Sequence, residues 1–281
     1  MRSLRSLAVL VVAVGLAAGC GTAASPAAPA TPGGRVATSA PGGGTNSAPS
    51  RPAPVGSAST PLPSAAVQLA AFFATAAHAD SQLRHAAALV NGDIGATSMR
   101  FTPATIAALK EIKLEPVAAA LPAGLPTGML RDVLVVYGDL AARNGGFNGV
   151  RIHGSSGREL PVSDPDAQSV LRGLRNGAPA AARFSGDLAA ARTLAQQTPL
   201  VSIAAPDSRA ALELALRLQS IGLRNTCSEE FGGYAPTSLE PVVWQPSASQ
   251  HSSHYEGLAG GISFTADYTV KDGWQIIIHA C

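Results

Sequence analysis

The hydrophobic period of this chain changes once, near Cys227, and that change limits the folds open to it. Upstream, apolar residues recur every three or four positions, the spacing of a helix face. Downstream they alternate with polar ones, the spacing of a strand with one buried face. Helices followed by strands, without βαβ alternation, predict an α+β fold. The expected form is a mostly helical domain followed by a C-terminal antiparallel β-hairpin or three-stranded sheet.

The helical part reads clearly in places. Leu69, Phe72, Ala76, Ala79, Leu83, Ala86 and Val90 form one stripe, and Asn91-Gly92 supplies a stop. Thr102-Pro103 is an N-cap followed by proline at the first helical position, and Ile106, Leu109 and Ile112 give that helix its apolar side. A turn of helix is expected at 117–121. Another helix carries Leu130, Val133, Leu134, Tyr137, Leu140 and Ala141 and ends at Asn144-Gly145-Gly146. Val150 and Ile152 suggest a short strand. Asp164-Pro165 opens a helix that Asn176-Gly177 should stop, and a separate helical run starts at Asp187. The helix expected at about 207–221, with Gly222 just past its end, has leucines at 212, 214, 216 and 218 and a Glu213–Arg217 pair at i,i+4. Leucines on several faces predict burial on more than one side.

In the strand region Ile262, Phe264, Ala266, Tyr268 and Val270 alternate with Ser263, Thr265, Asp267 and Thr269. Lys271-Asp272-Gly273 is a turn and 274–279 a return strand. Residues 241–244 could add a third.

The N-terminus is of another kind. Arg2 and Arg5 precede an apolar run that is too short to span a bilayer, and the run closes on Leu16-Ala17-Ala18-Gly19-Cys20. From 21 to about 63 nearly every residue is Pro, Ala, Gly, Ser or Thr. Such a stretch cannot bury enough surface to offset its ordering entropy, so it predicts a disordered tether. As a flexible coil it would span roughly 35–40 Å, and as an extended polyproline-like chain up to about 130 Å.

The string ending in Cys20 resembles the lipobox of bacterial lipoproteins. Ala18 and Gly19 match the small residues before the cysteine, while Ala17 stands where that family usually has Leu. The resemblance covers only the first twenty residues or so. It implies cleavage before Cys20, a diacylglycerol thioether on its sulfur, and anchorage to the outer face of the cell membrane. The expected organisation is a lipoprotein signal peptide at 1–19, a tether at 20–63 and one α+β domain at 64–281. Two acyl chains on one residue make a stable anchor, at about 0.8 kcal/mol per buried CH₂.

Loss of the signal removes Arg2 and Arg5 from 20 basic residues, which leaves as many as the 18 acidic ones. A neutral mature chain has no bulk attraction for nucleic acid, and none is expected as a partner. The partners expected are the membrane, through the lipid, and a cell-envelope protein or glycan.

No catalytic motif stands out. The residues three before Lys110, Lys113 and Lys271 are Ala107, Lys110 and Tyr268, so no Ser-x-x-Lys occurs. Gly154-Ser155-Ser156-Gly157 lacks the spacing of a nucleophile elbow and reads as a turn. No P-loop, H-E-x-x-H or G-x-G-x-x-G is present. His78 and His85, two turns apart, read as a polar helix face, since about 10.5 Å of rise is too far for one metal. Asp164, Asp166 and Asp187 read as helix-start carboxylates. Glu229, Glu230, His251 and His254 form the candidate binding region, on two loops expected near the sheet. No metal, cofactor or catalytic residue is assigned. The favoured function is a non-catalytic binding or structural accessory of the cell envelope. The alternative is an envelope hydrolase with a site assembled from residues distant in sequence.

Two cysteines remain if Cys20 carries lipid. Outside the cytoplasm Cys227 and Cys281 should form a disulfide, closing a loop for about 4 kcal/mol of unfolded-state entropy. Non-reducing mass spectrometry of a protease digest should show one peptide joining Cys227 to Cys281; two free thiols would refute the pairing.

Overall fold

The computed structural model describes residues 64–154, 157–200, 204–227, 242–245, 254–259 and 262–279. Seven helices come first: α1 (Ala65–Asp93), α2 (Pro103–Glu111), α3 (Glu115–Ala119), α4 (Thr127–Gly145), α5 (Asn148–Gly154), α6 (Pro165–Gln197) and α7 (Arg209–Cys227). A two-residue pair, β1 (Ser98–Met99) with β2 (Leu160–Pro161), ties the start of α2 to the start of α6. The chain ends in β3 (Val243–Gln245), β4 (His254–Ala259), β5 (Ile262–Thr269) and β6 (Gly273–Ile278), an antiparallel sheet in sequence order. The α+β arrangement is as the sequence predicts, but the sheet has four strands rather than two or three.

All seven stripe residues of α1 are buried, with Phe72, Ala76, Leu83, Ala86 and Val90 at 0% exposure. Fully burying a Leu or Phe contributes about 1.5–3 kcal/mol, so this face adds substantially to the helical core. Thr102 caps α2, its Oγ1 accepting from the Thr105 amide at 3.2 Å. Asp93, at the end of α1, accepts from the Thr102 amide at 2.7 Å and from the Thr105 hydroxyl at 2.5 Å, fixing the turn between the two helices.

Three expectations are overturned. The first concerns Asn176-Gly177 and Pro179, which do not break the chain into two helices. They lie inside α6. Gly177 is there for contact: a Cβ on it would stand 3.2 Å from the Cα of Arg143 in α4. Gly173 and Gly146 touch in the same way, and a Cβ on Gly146 would come within 2.6 Å of the Gly173 carbonyl. Close backbone approach outweighs the roughly 1 kcal/mol that a helical glycine costs. It follows that Asp187 is not at a helix start.

The second is the strand proposed at Val150 and Ile152, which is helix α5. Val150 is 0% and Ile152 70% exposed. Residues two apart point in different directions on a helix and to the same face on a strand, so this burial fits only the helix. The third is the end of α7, which runs through Gly222 to Cys227. Cys227 therefore closes a helix instead of sitting in a loop; Cys281 lies outside the described residues.

Helix α7 is buried on two sides, as its leucines predict. Leu214, Leu218 and Ile221 join the helical core. Leu212 and Leu216 face the other way and pack with Val242, Phe264 and Ala266 of the sheet region. The Glu213–Arg217 ion pair forms along the helix. No described helix is long and apolar enough to cross a membrane.

Charged groups thread the bundle. Asp80 of α1 pairs with Arg84 at 2.8 Å and with Arg143 of α4, whose guanidinium lies 6.0 Å from the Phe184 ring centre. Asp139 of α4, 3% exposed, accepts from Arg183 of α6 at 2.9 Å through Oδ1. Its Oδ2 and the Oδ2 of Asp187 are both buried without a donor, which one proton held between the carboxyls would satisfy. Burial first, and then the hydrogen bond with Asp187, push Asp139 from 3.8 up to about 7, against the opposing pull of Arg183.

An acid whose pKa is raised by folding stabilises the fold while protonated. That contribution is full below pH 3.8 and is lost as pH rises through about 7. At 1.36 kcal/mol per pH unit the loss is at most about 4 kcal/mol. Asp139→Asn should flatten this part of the pH–stability curve, measured by urea denaturation between pH 4 and 8; an unchanged slope would count against the shared proton.

Candidate functional site

The pleat sorts the sheet into two unlike faces. Trp244, Tyr255, Phe264, Ala266, Tyr268, Trp274, Ile276 and Ile278 fall on one. Their rings meet edge-on or tilted: Trp244 with Tyr255 at 5.6 Å, Tyr255 with Trp274 at 5.7 Å, and Tyr268 with Trp274 at 5.1 Å between centroids. Arg209, the first residue of α7, lies over both Trp244 and Tyr255, at 5.2 and 5.4 Å. The Trp274 indole donates to the Pro206 carbonyl at 2.9 Å. These aromatics are therefore committed to joining the sheet to α7.

The other face carries the polar partners of each strand: His254 and Glu256 on β4, Thr265 and Asp267 on β5, Gln275 on β6. His254 is paired in register with Asp267 across the β4–β5 ladder, and Glu256 follows two residues along on the same face. The His254 ring is held from both sides. Nδ1 lies 2.7 Å from Asp267 and Nε2 3.1 Å from Glu256. With a carboxylate on each nitrogen the doubly protonated ring is favoured, and its pKa is raised, first through the Asp267 bond and then through Glu256. His279 Nε2 lies 3.5 Å from the Thr265 hydroxyl nearby.

This geometry restricts the chemistry. With a carboxylate at each ring nitrogen, His254 has no nitrogen left open to a metal or a substrate proton. What the site offers a ligand is acceptors, the outer carboxylate oxygens of Asp267 and Glu256 on an exposed sheet surface. Among the described residues no group of three His, Cys, Asp or Glu side chains could hold a metal ion.

Of the four candidate binding residues, the structure places His254. It opens strand β4 rather than lying in a loop, a correction to the sequence reading. Glu229, Glu230 and His251 lie outside the described residues, as do Cys20 and the segments 1–19 and 20–63. His78 and His85 are exposed on α1, whereas Asp80 between them turns inward to Arg143. Asp164 and Asp166 stand at the start of α6, where Asp164 accepts from the Asp166 amide at 2.8 Å. Sequence reasoning missed Asp267 as the partner of His254. The strand register carries that signal, but it appears only once β4 is recognised as a strand.

Comparison with protein-family models, with curated proteins and with solved structures finds no match to this chain.

The clamp around His254 has a measurable sign. A histidine whose pKa is raised by folding adds stability that is complete below pH 6.5 and is lost as pH rises through the higher folded value. The NMR titration midpoint of His254 should lie above 6.5 and fall in Asp267→Asn; a midpoint at or below the free value would mean that the two carboxylates do not hold the ring in solution.

Proposed function

We propose that this protein is a lipoprotein anchored through Cys20 to the outer face of the cell membrane, with its folded part serving as a non-catalytic binding or structural accessory of the cell envelope. The observation that carries this reading is the Leu16-Ala17-Ala18-Gly19-Cys20 string behind a basic, apolar start and ahead of a long Pro, Ala, Gly, Ser and Thr stretch. Each part has a physical role in such an arrangement: export, covalent attachment, and reach from the membrane. A tether on the tens-of-ångström scale would present the domain to envelope proteins or glycans.

The non-catalytic part of the proposal draws on His254. The competing hydrolase reading asks for a free base on the histidine loop, and this ring is engaged at both nitrogens. A carboxylate-framed imidazolium on a strand suits recognition better, because it presents fixed acceptors without a labile proton acceptor.

Cys20→Ala should move the protein from the membrane fraction to the soluble extracytoplasmic fraction when cells are fractionated. Loss of most membrane-bound protein is expected, since the lipid supplies the attachment. Retention of the variant at wild-type levels would refute the anchor.

A further inference from the structure

A groove of about 640 Å³ runs beside α2, lined by Phe101, Pro103, Ile106 and Ala107 with Gly154 of α5. That volume falls within the roughly 300–1,000 Å³ of small-molecule sites. Gly154 sets its floor: a Cβ there would lie 2.1 Å from Ile106 Cδ1, so a larger residue would displace the end of that side chain. Arg100 and Lys110 also line the groove. Arg100 stands just ahead of α2 and Lys110 in its last turn, so a positive charge borders the apolar strip at each end.

Among the described residues no carboxylate pairs with either cation, although Glu111 follows Lys110 in sequence. Asp93, the last acid before the helix, is turned to the Thr102 amide and the Thr105 hydroxyl. Glu159 is taken by the Ser98 hydroxyl at 2.6 Å. No acidic residue lines the groove, and among the described residues neither Arg100 nor Lys110 has a carboxylate partner. Both are exposed, so their stems can move to meet a bound group. At Asp80 and Asp139, by contrast, arginines of this bundle are matched to carboxylates.

An apolar strip edged by two cations with no carboxylate partner among the described residues is complementary to a molecule with an alkyl body and an anionic head. We infer that the groove binds a single-chain anionic lipid, the acyl chain lying on Pro103, Ile106 and Ala107 and the head meeting Arg100 or Lys110. The chain gains by leaving water, and the head forms a charge-assisted hydrogen bond in place of solvent. This deepens the binding reading of the domain and names a ligand class for it. It does not depend on the lipid at Cys20, which is covalent and lies on the far side of the tether in sequence.

The test is titration calorimetry with decyl phosphate below its micelle concentration. The protein is the full chain carrying Cys20→Ala, so that no attached lipid competes. Decyl maltoside supplies the neutral-headed control and inorganic phosphate the headgroup alone. Decyl phosphate should bind with one-to-one stoichiometry in the groove and at least about tenfold more tightly than either control, since each control lacks one half of the recognition. Arg100→Gln with Lys110→Gln should weaken it by about tenfold or more, and the single substitutions show which end holds the head. Ala107→Trp, at an exposed helix position, should fill the strip and block the chain, while far-ultraviolet circular dichroism stays as in the parent.

Equal binding of decyl maltoside would reduce the groove to a nonspecific apolar patch and overturn the proposal. So would binding that survives both Ala107→Trp and the double charge removal. Because the anchor is tested separately by fractionation, failure here leaves that reading standing.

Discussion

The bundle depends on how closely α4 and α6 approach each other. Gly146 and Gly173 bring the end of α4 and α6 into backbone contact, and Gly177 lets α6 lie against the Arg143 backbone. Helices that close cannot place long side chains between them, so the larger groups are forced to the margins. Phe184 lies under Arg143 at one margin, and the Asp139 carboxyl meets Arg183 and Asp187 at another. The charged groups are not decoration on an apolar core. They lie beside the glycine contacts: Asp139 and Arg143 are buried there, while Arg183 stays largely exposed.

Burial at that margin forces a choice of protonation. A carboxylate sealed beside a second carboxylate, with one guanidinium shared between them, is short of positive charge. The least costly remedy is a proton, as the raised pKa of Asp139 reflects. Asp80 is matched differently, with two arginines, Arg84 and Arg143, against its one carboxylate.

Much of this was legible in the sequence, for identifiable reasons. The stripe of α1, the Thr102 cap and the two-sided leucines of α7 follow from periodicity and capping chemistry, which are local. The failures share a cause that is not local. Asn176-Gly177 looks like a stop unless one knows that Arg143 packs against it. The stretch leading to Tyr255 is rich in Ser and Gln and reads as loop, yet His254 already belongs to β4, whose Gly257 passes close to its neighbours: a Cβ there would meet the Val243 carbonyl at 2.6 Å and the Phe264 ring at 2.9 Å. In both cases local composition imitates a turn or loop while tertiary contact decides the element. Missing β4 hid the register that sets His254 opposite Asp267. The candidate site was therefore half visible: its histidine was named, its partner was not.

The described surface treats charge in three ways that differ in what they leave for a ligand. Asp139 is buried, its pKa raised, and offers nothing outward. His254 is held by two carboxylates, so only the outer oxygens of that cluster remain. Arg100 and Lys110 lie beside apolar surface with no carboxylate partner among the described residues. A ligand gains most where the protein has left both an apolar surface and a charge uncovered in one place, since neither must be taken from an existing intramolecular contact. By that criterion the α2 groove suits a small amphiphile better than the histidine cluster does. The aromatic residues that would otherwise compete for such a role are already spent on holding the sheet to α7.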